Sequence, residues 1–163
     1  MKVLIAYGTR HGTTEYCAKK LEELIRADID TVRLEKGKTY DLSSYDMVVI
    51  GSPVYTGSFL KEVTGFLLNH RDELSERRIG LYVCCITPVR EAEVYLRDLF
   101  PAELVSKACA TGIFGGAFDF QKMSVMERFL IRRVKKVETS VSTLSEESIA
   151  LFARAVQEVC PES

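Results

Sequence analysis

Seven residues near the N-terminus hold the densest chemistry of the chain: Gly8-Thr9-Arg10-His11-Gly12-Thr13-Thr14. Glycines let a backbone fold around an anion, and threonine hydroxyls donate hydrogen bonds. A helix starting just after them adds bare amides and about half a positive charge. The apolar run Val3–Tyr7 leads into this loop and a helical pattern leaves it, so the loop sits where a strand hands over to a helix. The Gly-Lys-Ser/Thr ending of a Walker A loop is missing, so a nucleoside triphosphate would find neither lysine nor magnesium ligand. G-x-G-x-x-G is missing too, which removes the dinucleotide fingerprint. A single phosphate monoester is the better match. The plain reading is a Gly/Thr turn that caps a helix and binds nothing. Arg10 either screens the phosphate dianion or faces solvent. His11 has no acidic neighbour in the motif and reads as surface.

Two more loops belong to the same expected site. Gly51-Ser52-Pro53-Val54-Tyr55-Thr56-Gly57 follows the strand Met47–Ile50, which Gly51 closes. Tyr55 can stack on a flat polycyclic ring, and the free backbone groups can meet that ring's polar edge; the plain reading is a Pro-Gly turn with a surface tyrosine. Ile86-Thr87-Pro88-Val89-Arg90 would flank the other side. Gly115-Gly116-Ala117 is expected to leave room for a substrate or the ring edge. The candidate binding residues are therefore Thr9, Arg10, His11, Gly12, Thr13 and Thr14, then Ser52, Pro53, Val54, Tyr55, Thr56 and Gly57, then Thr87 and Pro88. No Ser-His-Asp set, paired carboxylates or metal cluster stands out, so no catalytic side chain is assigned and no metal is expected.

Alternating elements must position these loops. Strands are expected at 3–7, 31–34, 47–50, 79–86 and 108–114, and helices at 13–27, 60–68, 91–99 and 145–160, the last capped by Ser145. Strands alternating with helices imply βαβ units and a parallel sheet. The leading arrangement is a three-layer, doubly wound α/β domain over residues 1–163, with strand order 2-1-3-4-5. In that order the first and third strands are neighbours, and their loops face one ligand.

Composition limits the rest. The 163 residues are 47% hydrophobic and 28% charged, which is globular rather than disordered. A net charge of −1 gives no general attraction to nucleic acid. No run of 18 apolar residues is present, so nothing is expected to span a bilayer. Five cysteines at irregular spacing, with no C-x-x-C, suggest reduced thiols in a cytoplasmic protein. Cys84 and Cys85 fall in an expected strand, the inward one packing in the core; Cys160, near an end, could be exposed.

One stretch breaks the alternation. Residues 118–143 form a late helical insertion, basic and apolar over Met123–Val137 and then Ser/Thr-rich. Within it Met126, Phe129, Leu130, Val134 and Val137 share one side of a helix, with Arg128, Arg132, Arg133, Lys135 and Lys136 over much of the rest. Such a helix can rest on the inner face of an anionic membrane as a peripheral contact. The same pattern fits packing on its own domain or a homo-oligomer contact.

These residues resemble flavodoxin-like proteins, and more narrowly the menaquinone-dependent protoporphyrinogen oxidase family. That family's Thr-Arg-x-Gly-x-Thr loop is matched by Thr9, Arg10, Gly12 and Thr14. Its Tyr-Asp-x-Val-Val-Ile-Gly strand is matched by Tyr45, Asp46, Val48, Val49, Ile50 and Gly51. Its acidic-Arg-Phe-x-Ile helix is matched by Glu127, Arg128, Phe129 and Ile131. Tyr55 stands one position before the family's tyrosine. The resemblance implies FMN as cofactor, a tetrapyrrole-like donor, and electrons passed to a quinone. A flavodoxin-type carrier docking on a redox partner protein, or a flavin-free binding module, are the alternatives.

Overall fold

The computed structural model describes residues 1–118 and 141–160, together with Met126. Its centre is a five-stranded sheet: β1 (Lys2–Tyr7), β2 (Asp28–Arg33), β3 (Met47–Pro53), β4 (Arg78–Cys84) and β5 (Ala110–Ile113). The strands pair in the order β2-β1-β3-β4-β5, all parallel. This is the expected doubly wound order.

The central strands are apolar without a break because both of their faces are covered. Alternate residues divide between two cores. Val3, Ile5, Tyr7, Met47, Val49 and Tyr82 pack beneath α1 (Thr13–Leu24) and the C-terminal helix α6 (Glu146–Val159). Leu4, Ala6, Val48, Ile50, Ile79 and Leu81 pack on the opposite face. That face is covered by α2 (Lys61–Asn69), α3 (Arg71–Ser75), α4 (Val89–Leu99) and α5 (Ala102–Lys107). Each fully buried aliphatic side chain contributes about 1.5–3 kcal/mol, so the two layers supply most of the drive to fold.

One rung across the sheet sets the ground beneath the loops. Arg33, Tyr7, Gly51, Tyr82 and Gly112 lie side by side in register. Large rings alternate with glycines, and the Tyr82 ring lies where a side chain on Gly51 would be: a Cβ there would come within 1.9 Å of it. Tyr82 stacks on Phe114 at 4.7 Å between ring centroids, and Phe152 of α6 meets both rings edge-on.

Several boundaries differ from expectation. β3 does not stop at Gly51 but runs to Pro53, because β4 keeps pairing with it as far as Cys84. β2 starts at Asp28; as an edge strand it is only half covered, so its apolar signal is weak. Pro101 follows the end of α4 and opens α5, a helix of six residues that is too short for periodicity to reveal. Ser145 caps α6, its hydroxyl accepting from the Ser148 amide at 3.1 Å. Cys160 is buried, not exposed, because its thiol turns inward against the Met1 sulfur. Cys84 and Cys85 are both buried, on opposite faces of the sheet.

The insertion is closed at its neck by a short antiparallel ladder, β6 (Ala117–Phe118) on β7 (Val141–Ser142). The rest of the expected basic helix at 123–137, Met126 apart, lies outside the described residues. Met126 is helical and exposed.

Candidate functional site

The Gly8–Thr14 loop leaves the sheet from β1, between β2 and β3. Gly8 donates to the Gly51 carbonyl at 3.1 Å, and Leu34 donates to the Tyr7 carbonyl at 2.8 Å. The loop therefore begins wedged between its neighbouring strands. A Cβ on Gly8 would come within 2.6 Å of Val63 on α2, so this glycine serves close packing. Gly12 serves the turn. Its φ is 94°, in the left-handed region that favours glycine, and a Cβ there would meet nothing within 4 Å.

The result is a helix N-terminus left bare. Gly12 is the N-cap and no side chain caps α1. The Gly12 amide is held by Thr9 Oγ1 at 2.9 Å, and the first helical bond runs from Tyr16 to the Gly12 carbonyl at 2.9 Å. The amides of Thr13, Thr14 and Glu15 thus have no acceptor within the helix. Three bare amides, the helix dipole and the open space at Gly12 fit an anion. Thr9 is buried and accepts from Gly12, which leaves its hydroxyl hydrogen to donate. Thr13 is half-buried. Thr14 is buried, and its hydroxyl makes no hydrogen bond of normal length; it lies near the Cys84 thiol beneath the helix. Its contribution at this end is therefore its amide rather than its hydroxyl.

Two tyrosines brace the first turn of α1 from below. Tyr82 donates to the Thr14 carbonyl at 3.3 Å, and burial pushes its phenol well above the ordinary range. Tyr7 is raised by burial and by its hydrogen bond with the Glu15 carboxylate. Beside them Arg33, at the end of β2, donates from Nη2 to the Thr9 carbonyl at 3.3 Å.

The second loop meets the first at an aromatic contact. The Arg10 guanidinium lies 5.5 Å from the Tyr55 ring centroid, and the His11 ring meets the same tyrosine edge-on at 6.0 Å. Tyr55 opens a two-residue turn closed by hydrogen bonds with Ser58 at 2.9 and 3.0 Å. Thr56 and Gly57 both have positive φ, 47° and 76°, as a type I′ turn requires. Gly57 is the ordinary residue for that geometry; Thr56 holds it at a cost of about 1–2 kcal/mol. The Val54 amide donates to the Cys84 carbonyl at 3.2 Å, which ties the loop to β4.

Ser52 and Pro53 stand differently from the rest. Both are buried at the end of β3, and the Ser52 hydroxyl donates to the Pro53 carbonyl at 2.9 Å. In the loop after β4, Thr87 sits 3.2 Å from the Cys85 sulfur and exposed Pro88 opens α4. Tyr95 of α4 comes to the second loop, its ring edge 3.9 Å from where a Gly57 Cβ would stand.

The room expected at Gly115-Gly116 is filled by the chain itself. A Cβ on Gly115 would lie 2.1 Å from the Thr143 carbonyl oxygen, and one on Gly116 about 3.1 Å from the Cys85–Ile86 backbone. Thr143 donates to the Gly116 carbonyl at 2.8 Å and Ser145 to the Phe114 carbonyl at 2.9 Å. These glycines make the neck of the insertion, not a ligand cavity.

Sequence reasoning missed Arg33, Tyr82 and Tyr95. Tyr82 and Arg33 share a rung with Gly51 and Tyr7, and only the strand register places them there. Among the described residues, no group of side chains could hold a metal ion, and no helix is long and apolar enough to cross a membrane.

Comparison with known proteins bears on this arrangement. Residues 4–145 match the family model described as a flavodoxin domain. Protoporphyrinogen IX dehydrogenase [quinone] of Leishmania major is 25% identical over 83% of this chain and 63% of its own length. Flavodoxin of Megasphaera elsdenii is 28% identical over 49% of this chain and 62% of its own. The chain thus spans less than two thirds of either relative. Among solved structures, oxidised flavodoxin 1 from Bacillus cereus superposes with a TM-score of 0.58 at 12% identity, over 100% of both chains. The FMN-bound flavodoxin of Fusobacterium nucleatum superposes at 0.51 with 17% identity, over 68% of each chain. With most of its length matched, the chain belongs to the flavodoxin-domain family, whose cofactor is FMN.

Proposed function

We propose that this protein is an FMN-dependent oxidoreductase that takes electrons from a tetrapyrrole-like donor such as protoporphyrinogen and passes them to a quinone. The observation that carries the cofactor half is the uncapped, glycine-opened start of α1, with Arg10, His11 and Tyr55 gathered beside it. The Leishmania relative, named for a protoporphyrinogen IX dehydrogenase with a quinone acceptor, supports the substrate half.

In this reading the amides of Thr13, Thr14 and Glu15 hold the phosphate, with the Thr9 and Thr13 hydroxyls donating to it. Tyr55 stacks on the ring, and the backbone of 52–57 and of 87–88 lines its edges. FMN, when bound, supplies the one- and two-electron redox chemistry. The chain's own part is to orient the ring, keep water from its buried face and neutralise the phosphate. The basic segment 123–137 would bring this site to a membrane-dissolved quinone, on the inner face of a cytoplasmic membrane.

The Megasphaera relative favours a second reading, a flavodoxin-type carrier with no substrate of its own. Anaerobic mixing of the FMN-loaded protein with protoporphyrinogen, followed at the flavin absorbance band, separates the two. Bleaching by the porphyrinogen and recovery on adding a short-chain menaquinone is the expected result. A flavin that responds only to a reductase protein supports the carrier and removes the substrate assignment.

A further inference from the structure

The phosphate loop has a cation behind it that no motif announces. Arg33 is the last residue of β2, the edge strand, and its register partner is Tyr7, the last residue of β1. The strand therefore delivers its side chain to the base of the loop. Arg33 is exposed, yet its Nη2 reaches the Thr9 carbonyl at 3.3 Å. That carbonyl belongs to the residue whose hydroxyl holds the Gly12 amide. One guanidinium thus fixes the first corner of the loop while keeping most of its five N–H donors for other acceptors.

The charges around it make the position matter. A phosphate monoester carries close to two negative charges at neutral pH, and the first turn of α1 adds a carboxylate of its own, Glu15. Glu15 lies 3.4 Å from Lys19 and also meets the Tyr7 hydroxyl, so it is turned along the helix. Arg10 covers the opposite side of the loop, against Tyr55. Arg33 is a cation on the β2 side.

We propose that Arg33 is a positioning residue for the FMN phosphate: it locks the Thr9 corner of the loop and offsets the dianion's charge from the β2 edge. This deepens the cofactor reading above and rests on it. The consequence is selectivity for the phosphorylated cofactor, FMN, over riboflavin, which lacks the phosphate.

The test compares dissociation constants of FMN and riboflavin, by quenching of flavin fluorescence, for the whole wild-type chain, Arg33→Gln and Arg33→Lys. At low ionic strength Arg33→Gln is expected to weaken FMN about fivefold, as for one exposed charge pair, and to leave riboflavin unchanged. Arg33→Lys is expected to fall between, since it keeps the charge without the planar fork. The FMN loss shrinks as salt is raised. Equal weakening of both ligands shows a general structural role and overturns the proposal, as does an unchanged FMN affinity. A wild-type chain that binds riboflavin as tightly as FMN overturns the phosphate-loop reading itself, and the proposal with it.

Discussion

Two glycine-bearing loops sit at the same edge of the sheet, and they use glycine for opposite purposes. At Gly12 the space a side chain would take is open and the neighbouring amides are bare. At Gly115 that space is occupied by the Thr143 backbone, and the surrounding amides and carbonyls are already paired. Both residues have positive φ, 94° and 78°. Backbone conformation alone therefore does not separate a ligand cradle from a tight crossing of two chain segments. What separates them is what lies beyond the missing Cβ and whether the nearby polar groups have partners.

The comparison breaks most visibly under Gly115→Ala. The new methyl meets a backbone oxygen at 2.1 Å, which cannot swing aside as a flexible side chain would. Adding the left-handed penalty to the overpacking, the expected loss is about 2–5 kcal/mol, read from urea unfolding monitored by far-UV circular dichroism. Flavin affinity of the remaining folded protein changes little. A variant as stable as wild type shows that the neck is loose and that the two loops are not opposites.

Gly12→Ala is the sharper half of the pair. Nothing stands within 4 Å of the added methyl, so only the left-handed penalty applies, about 1–2 kcal/mol. The loop can relieve that strain by rotating the Gly12 amide off Thr9 Oγ1 and turning the helix start away from the anion. FMN should then bind more weakly, and excess FMN should raise the thermal midpoint less than in wild type. Equal stability losses in Gly12→Ala and Gly115→Ala, with FMN binding intact, would falsify the distinction drawn between them.

The same contrast explains how far the sequence could be read. Val3–Tyr7, Met47–Ile50 and Ile79–Cys84 are buried on both faces, so unbroken apolar runs marked the central strands and the strand order followed from the alternation. Gly8–Thr14 was legible because a strand-to-helix junction leaves its mark in local residue types. Gly115-Gly116 was misread because its partner, Thr143, is 28 residues on from Gly115. Arg33 and Tyr82 were not legible because only the register of β2 on β1 and of β3 on β4 brings them under the loop. The edge strand β2 began earlier than its sequence suggested, since half of its residues face water and dilute the pattern. Local chemistry could be read from neighbours in the chain; chemistry assembled across strands could not.

Tyr82→Phe asks how much the bare helix end depends on what lies beneath it. The ring stays, so its stack on Phe114 and its cover over Gly51 are kept. Only the 3.3 Å bond to the Thr14 carbonyl goes. A neutral bond of that length is worth about 0.5–1 kcal/mol net. The expected result is a loss of that size in unfolding free energy and a slight weakening of FMN, with no change in riboflavin-specific contacts. An FMN loss far beyond the stability loss would make Tyr82 part of the anion site rather than its support.

The smallest effect lies at the opposite edge of the sheet, where polar groups already have partners and no ligand is called for. There the Tyr45 hydroxyl donates to Asp30 at 2.6 Å, and Lys2 reaches the same carboxylate at 3.2 Å. The hydrogen bond to Asp30, ahead of burial, pushes the Tyr45 phenol up to about 12 from 10.0. Asp30 is held below its ordinary 3.8, first by Tyr45 and then by Lys2. The signs follow. Below pH 10 Tyr45 keeps its proton in both states, and its contribution is whole. Between pH 10 and about 12 the unfolded chain has released the proton and the folded chain has not, so stability falls as pH rises. Asp30 works the other way, its contribution present above about pH 4 and lost as the medium becomes more acid. The wild-type thermal midpoint should therefore drop more steeply than that of Tyr45→Phe at both ends of the pH scale, while the two curves run level in the middle. Both groups face water, which screens the effect and keeps it below that of any substitution at the loops. Parallel curves across the whole range would show that the Tyr45–Asp30 pairing carries no free energy.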